Sequence, residues 1–315
     1  MHVNEPPVGR FAVILATRNR AQDAVRAVHS ILASQMPFEL TVIDQSDGAL
    51  TGKALTSFAG DRRMTVLKST RVGLSRARNI GWRKTSAELL AFTDDDCETC
   101  PGWLEGLATA LAHDERVGVV FGAVRAPDYD RSSGFVMAYT PQRFRVVRNI
   151  REKARVEGVG ACMAIRRSVL TALGGFDEEL GAGARFYSAE DTDIAVRALI
   201  AGFYVCETPD AAVYHYGFRS WDVRDRVVHG YMVGLGAANA KMLRLGKRQA
   251  IRPIAALAWR WLAKHPVVDL KHLPPRLARL RSFLVGFRAG FAARLDARGH
   301  FIPPVDGGPE SRNAS

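Results

Sequence analysis

Leu89-Leu-Ala-Phe-Thr-Asp-Asp-Asp-Cys97 decides how this chain is read: a short apolar run ends abruptly in three carboxylates. Such a run is the pattern of a strand buried on both faces. Open α/β sheets bind their ligands beyond the carboxyl ends of such strands. Asp94, Asp95 and Asp96 repel one another and need a counter-charge. A divalent cation supplies one, because hard metals take carboxylate oxygens. A solvated acidic turn, with Asp96 or Thr99 near the N-cap of the next helix, accounts for the same residues.

Strand-like runs flank this stretch. Residues 11–16 form one, closing on Thr17-Arg18-Asn19-Arg20. A helical pattern follows to about residue 34, with Ala24, Val28 and Ile31 on one face. Residues 40–43 and 64–67 read as the next two strands. A helix opens at Gly73, and another follows Pro101 with Trp103, Leu104, Leu107 and Leu111. Residues 117–121 are a fifth strand. This alternation predicts an α/β fold with a mostly parallel open sheet and helices on both faces. Thr17 and Arg18, Asp44 and Asp47, and Asp94 and Asp96 then stand at strand ends that share one crevice. No GxGxxG follows the first strand and no GxxxxGK[ST] occurs, which disfavours a dinucleotide site or a P-loop. Residues 127–157 are irregular and basic, as in a substrate lid. Residues 159–165 read as a small-residue strand and 167–173 as a short helix. Ser188-Ala-Glu-Asp-Thr-Asp carries a capping signal for a helix to residue 201. Residues 204–206 and 211–214 read as two strands before His215.

The bulk composition sets the remaining bounds. The chain has 315 residues, 47% hydrophobic, enough for a large α/β domain with an appendage. Its net charge of +12 is uneven: residues 1–220 hold 27 Lys/Arg against 26 Asp/Glu, and residues 221–315 hold 17 against 6. A neutral body with a carboxylate-rich crevice argues against a nucleic-acid-binding module, whereas the basic tail suits anionic surfaces. Residues 1–9 lack a secretory pattern, and the four cysteines point to free thiols in a reducing cytoplasm. Cys97 and Cys100 have CxxC spacing without the partners of a zinc site. No run of 18 apolar residues exists, so no transmembrane helix is expected.

Taken together, Thr17-Arg18-Asn19, Asp44-x-Ser46-Asp47, Gly73-x-x-x-Ala77-Arg78-Asn79-x-Gly81, Phe92-x-Asp94-Asp95-Asp96, Gly175-Phe176-Asp177, Glu190-Asp191-x-Asp193-x-x-x-Arg197 and Val213-x-His215 resemble family 2 of the inverting glycosyltransferases, which have the GT-A fold. The resemblance covers roughly residues 10–217. It implies a nucleotide-diphosphate sugar donor (UDP, GDP or dTDP), a glycan or glycolipid acceptor, and Mn2+ or Mg2+ as cofactor. Residue by residue, it implies that Thr17, Arg18 and Asp44 hold the nucleoside and that Arg76 and Arg78 approach the diphosphate. Asp94-x-Asp96 is then the DxD position. Asp96 ligates the metal with Asp94 and His215, Asp94 also reaches ribose, and Asp95 lines the donor site but matters least to the metal. Asp191, paired with Glu190, becomes the general base. Two departures stand out: Ala16 replaces the frequent Pro before the first-strand Thr, and Asp44-Gln-Ser-Asp replaces the frequent Asp-Asp-Gly-Ser. Simpler roles fit some of these residues: a helix-start acidic cluster for Glu190, Asp191 and Asp193, a strand-end histidine for His215, surface helix charges for Arg76 and Arg78, and a loop cap for Asp177.

The expected organisation is a catalytic domain over residues 1–218, a basic helical extension over 219–302 and a disordered end over 303–315. Helical periodicity covers 227–245, 251–264 and 277–295. The last segment places Leu277, Leu280, Leu284, Phe287, Phe291 and Leu295 near one face with arginines largely elsewhere. A basic amphipathic helix over 276–298 suggests peripheral binding to an anionic membrane surface, at the inner face of the cell membrane, with cell-surface polysaccharide synthesis as the role. Docking onto the catalytic body or a second subunit is the alternative. A sugar nucleotidyltransferase of similar fold is the rival enzyme, but the activating Gly-rich loop is missing after the first strand. A non-catalytic basic binding protein is the rival outside enzymes.

Overall fold

The computed structural model describes residues 10–245 and 276–304, with a few positions between 247 and 259. Expectations for residues 1–9, for the helix over 251–264 and for the end from 305 fall wholly or largely outside the described residues.

The chain alternates as its periodicity predicts. It begins β1 (Phe11–Thr17), α1 (Ala21–Leu32), β2 (Phe38–Asp44), α2 (Leu50–Leu55), β3 (Met64–Lys68), α3 (Leu74–Lys84) and β4 (Leu89–Asp94). These four strands lie in the order β3-β2-β1-β4, all parallel. Their register sets Thr17 beside Asp44 and Ala16 beside Asp94, so the strand ends do share one edge. After the acidic turn come β5 (Cys97–Thr99), α4 (Trp103–Ala112) and β6 (Val117–Arg125). Apolar layers cover both sheet faces. One contains Val28, Ile31, Trp103 and Leu107, and the other Trp82, Leu170, Ile194 and Met242.

The second half departs from a simple parallel sheet. Two short strands, β7 (Gly134–Val136) and β8 (Arg145–Val147), order part of the expected loop over 127–157. Next come β9 (Met163–Arg166), α5 (Arg167–Leu173), α6 (Glu190–Ile200), β10 (Tyr204–His215) and β11 (Phe218–Ser220). β9 inserts antiparallel between β4 and β6. The two strands expected over 204–214 are one strand, β10, whose register with β6 shifts between Glu207 and Ala212 around Pro209. β8 pairs with β10 and β7 with β11. One pairing builds the site: β5 reverses directly after the three aspartates and runs antiparallel to the end of β10, with His215 opposite Cys97.

The extension is α7 (Arg224–Arg244) and α8 (Arg276–Ala292), packed side by side. Small residues let the backbones touch. A Cβ on Gly236 or Gly286 would run into main-chain atoms of the other helix, and one on Gly290 would stand 2.7 Å from the Ala237 Cα. The buried face of α8 is therefore Arg279, Ser282, Gly286 and Gly290, while Leu277, Leu280, Leu284, Val285 and Phe291 remain exposed. Of the expected apolar stripe, Phe287 and Leu295 are half-buried. No helix among the described residues is long and apolar enough to cross a membrane.

The expected boundary at residue 218 crosses a continuous interior. Leu180 and Phe186 pack with Val233, Ala237 and Phe301. The Lys241 side chain is fully buried and ion-paired at 2.7 Å to both Asp177 and Asp193, and Asp193 also holds Arg197 at 2.8 Å. Asp177 further accepts the Phe301 backbone N–H at 3.0 Å, so it is a structural carboxylate sealed beneath the extension. Burial opposes charge on Asp193, but Arg197 and Lys241 outweigh it and hold its carboxyl below the usual value.

Lys241→Met leaves the buried Asp177 without a cation and the buried Asp193 with Arg197 alone. Unfolding in urea should show a loss of about 3–5 kcal/mol. Because the folded value of Asp193 is depressed, its contribution is complete above the ordinary value of 3.8 and disappears as pH falls below it. Acid titration of the variant should therefore show that component reduced, with Arg197 still paired to Asp193.

Candidate active site

The strand ends open into a cavity of about 710 Å³. Among its walls are Thr17, Arg18, Arg20, Arg78, Asp94, Asp95, Asp96, Glu190, Asp191 and His215. Nearly every residue expected at the site thus meets in one cleft. Asp44 and Arg76 are the exceptions.

The acidic turn neutralises itself with cations from elsewhere in the fold. Arg20, just past the end of β1, bridges Asp95 at 3.0 Å and Asp96 at 2.8 Å. Thr17 Oγ1 donates to Asp95 Oδ2 at 2.8 Å. Arg78 is buried on α3 and donates to Asp94 at 3.2 Å, to Glu190 at 3.3 Å and to the Gly160 carbonyl at 3.0 Å. Arg78 is therefore a strut between the two acidic clusters, reaching from β4 to α6. Burial pushes the Asp95 carboxyl up to about 6 against the pull of Arg20. Burial opposes charge on Asp96 too, but His215 and Arg20 prevail and hold it at about 2.

Burial opposes charge on His215, but Asp96 and the Met137 carbonyl raise its imidazole above the usual value, so it serves as a counter-ion to Asp96 and would give up its Nε2 proton to a bound metal. Its Nδ1 lies 2.7 Å from the Met137 carbonyl. A carbonyl only accepts, so Nδ1 carries the proton and Nε2 faces Asp96 Oδ1 at 3.4 Å. A second hydrogen bond of this kind is what orients metal-binding imidazoles. Ligand atoms of Asp96, Cys97 and His215 fall within 4.8 Å of one another. Burial, then the charges of Asp94 and Asp96, push the Cys97 thiol well above its ordinary value, so it stays protonated and is a poor ligand. Gly217 keeps the seat open, because a Cβ there would stand 2.5 Å from His215 Nε2 and 2.9 Å from Asp96 Oδ2. One imidazole and hard carboxylate oxygens suit Mn2+ or Mg2+.

The other lip is the start of α6. Ala189 adopts a left-handed conformation, φ 73°, which turns the chain into the helix with Glu190 and Asp191 in its first turn. The Gly160 N–H donates to Asp191 Oδ2 at 3.1 Å. Burial, and then the adjacent Asp191, push the Glu190 carboxyl up.

Three of the expected residues stand apart from the others. Asp44 is buried beside the cleft, paired with Lys68 at 3.1 Å, and Gln45 occupies the wall instead. Arg76 is tied to Glu179 at 2.7 Å, outside the cleft. Arg18 reaches the wall but pairs with the exposed Asp47 at 3.1 Å. The sequence reading assigned no role to Arg20, although it ends the quoted Thr17-Arg18-Asn19-Arg20. It also missed Tyr187, Arg219, Arg226 and Tyr231. The last three belong to the segment set apart as an extension, where composition registers only a basic helix.

Gly217→Ala tests the seat directly. Binding of Mn2+, followed by electron paramagnetic resonance, should weaken by about 10–100-fold with the circular dichroism unchanged. Unaltered affinity would place the cation elsewhere.

With the geometry in view, the comparisons with known proteins agree. Residues 12–174 match the family model described as glycosyl transferase family 2. A probable N-acetylgalactosaminyltransferase 9 of Caenorhabditis elegans is 23% identical over 229 residues, covering 64% of this chain and 38% of the relative. The chain spans about a quarter to two fifths of the length of these curated relatives. Among solved structures, the mannosyltransferase PcManGT from Pyrobaculum calidifontis, in complex with GDP-Man and Mn2+, superposes with a TM-score of 0.61 at 22% identity. That match covers 92% of this chain and 77% of the other. GalNAc-T7 with UDP, GalNAc and Mn2+ gives 0.58 at 16% identity, covering 84% of this chain and 59% of the other. The sheet order, the acidic strand end and the family match lead to one assignment: the chain belongs to glycosyl transferase family 2 and has the GT-A type of fold.

Proposed function

We propose that this chain is an inverting glycosyltransferase that moves a sugar from a nucleoside diphosphate to a hydroxyl of a glycan or glycolipid. The observation that carries the reading is the placement of Asp96 with His215 at one lip of a single cleft and Glu190 with Asp191 at the other. Asp96, Asp94 and His215 would hold Mn2+ or Mg2+, which supplies charge neutralisation for a leaving diphosphate without proton transfer. Thr17 and Gln45 border the nucleoside end of the cleft, with Asp44 buried behind them. Asp191 takes the proton of the acceptor hydroxyl. Its Oδ2 is oriented by the Gly160 N–H, and Arg78 fixes the neighbouring Glu190. Direct displacement needs a base on the acceptor side and no protein nucleophile, and Asp191 meets that need.

The exposed stripe of α8 supports a site of action at an anionic membrane surface, in keeping with cell-surface polysaccharide synthesis. Leu277 is 80% exposed and Leu284 49%, with Arg281 and Arg288 exposed on the same helix. Apolar side chains among arginines suit the lipid interface.

Asp191→Asn should lower sugar transfer by about 10²–10⁴-fold while calorimetry shows nucleotide binding intact. Full transfer by this variant, with a donor chosen from a panel of UDP-, GDP- and dTDP-sugars, would remove Asp191 as the base. Leu280→Asp with Leu284→Asp, both surface positions, should abolish flotation with phosphatidylglycerol vesicles. Equal flotation of wild type and variant would reject the membrane reading.

A further inference from the structure

The arginines of the cleft fall into two groups. Arg18, Arg20 and Arg78 are each neutralised by carboxylates of the donor-side machinery or its rim. Arg219, on β11, and Arg226, in the first turns of α7, line the same cavity in a different setting. Arg219 hydrogen bonds the Tyr231 phenol, and Tyr231 lies within electrostatic reach of both Asp191 and Glu190. Arg226 acts on the exposed Asp222 through space, and no carboxylate among the described residues is recorded in an ion pair with either guanidinium. Val227, Leu235 and Tyr187 form the apolar remainder of this wall. Two guanidinium charges thus stand in one wall near the proposed base, and among the described residues neither is ion-paired with a carboxylate.

We infer that the wall formed by Arg219, Arg226 and Tyr231 binds a phosphate group carried by the acceptor, close to the hydroxyl that receives the sugar. This deepens the glycosyltransferase reading and rests on it. Phosphate is the matching anion for two reasons. Its charge of about −1.5 to −2 balances two guanidiniums where a carboxylate balances one. Guanidinium forks also bind its oxygens by paired, charge-assisted hydrogen bonds. The apolar wall beside the arginines accommodates a nonpolar aglycone or the face of a sugar ring. The phosphate could belong to a lipid headgroup or to a phosphorylated soluble glycan.

The test uses the full chain loaded with Mn2+ and UDP, or with whichever nucleotide binds best, so that the donor site is filled. Calorimetry compares glucose 1-phosphate with methyl glucoside, and decyl phosphate with decyl glucoside. At least one phosphate probe should bind about tenfold or more tightly than its neutral partner. Arg226→Gln with Arg219→Gln should erase that preference, and Arg226→Lys should restore part of it in the Arg219 background. A stronger preference in the decyl pair assigns the phosphate to a lipid headgroup, and one in the glucose pair to a soluble glycan; both support the site. Equal binding of charged and neutral probes by the wild type overturns the inference. So does loss of nucleotide affinity in the double variant, because the arginines would then serve the donor. Failure of the glycosyltransferase reading is separate: it would appear as no nucleotide binding by the wild type with Mn2+.

Discussion

Carboxylate repulsion at one edge of the sheet is the constraint on which the rest of this structure depends. Asp94 ends β4 with Asp95 and Asp96 in the turn that follows, and Glu190 and Asp191 begin α6 across the cleft. Five acids in one crevice cannot be buried without cations from elsewhere. The chain brings Arg20 from the end of β1, Arg78 from α3 and His215 from the end of β10. Arg78 touches both acidic clusters, so the distance between the lips is set by one side chain. Arg20 bridges Asp95 and Asp96 from a half-exposed position, and a cation seated at Asp96 would compete with it.

The same logic recurs behind the cleft. Lys241 on α7 is buried between Asp177 and Asp193, and Asp193 lies one helical turn from Glu190. Removing the cation would leave Asp177 uncompensated, and Asp193 with Arg197 alone, in a low-dielectric interior where pairing matters most. The extension is thereby coupled to the helix that presents the proposed base. Its inner surface completes the cleft through Arg226 and Tyr231, and its outer surface leaves an apolar stripe exposed. One helical pair thus serves as wall, anchor and outward face. The close approach of α7 and α8 through Gly236, Gly286 and Gly290 makes this possible, because it uses the small-residue side of α8 for packing.

Much of the fold was legible in the sequence, for a physical reason. Strands buried on both faces need continuous apolar runs and helices need a 3.6-residue period, and both are local. The residues 89–97 marked the binding edge because charge cannot continue into a buried strand. The insertion of β9 between β4 and β6 was not legible, since strand pairing is a nonlocal choice. Nor was the union of the two strands expected over 204–214, where Pro209 imitates a break. At the site, Asp96, Asp191 and His215 stood out through their resemblance to a family pattern, and the fold brings them to one cleft. Arg20 was passed over because an arginine after a strand reads as a surface charge. Arg76 and Arg78 looked equivalent until packing separated them: one pairs with Glu179 outside the cleft, and the other spans its floor.

By itself, the sequence determined the α/β class, the strand whose end carries the acids and the family to which the chain belongs. These follow from local periodicity and from the order of residues along the chain. Only the tertiary structure decided which cation meets which carboxylate, that Asp44 stands behind the wall, and that α7 packs on the body that holds the cleft. Partners such as Lys241 and Asp177, or His215 and Asp96, lie far apart in sequence. Their pairing depends on strand register and helix packing, where an error of one residue would turn each side chain the other way.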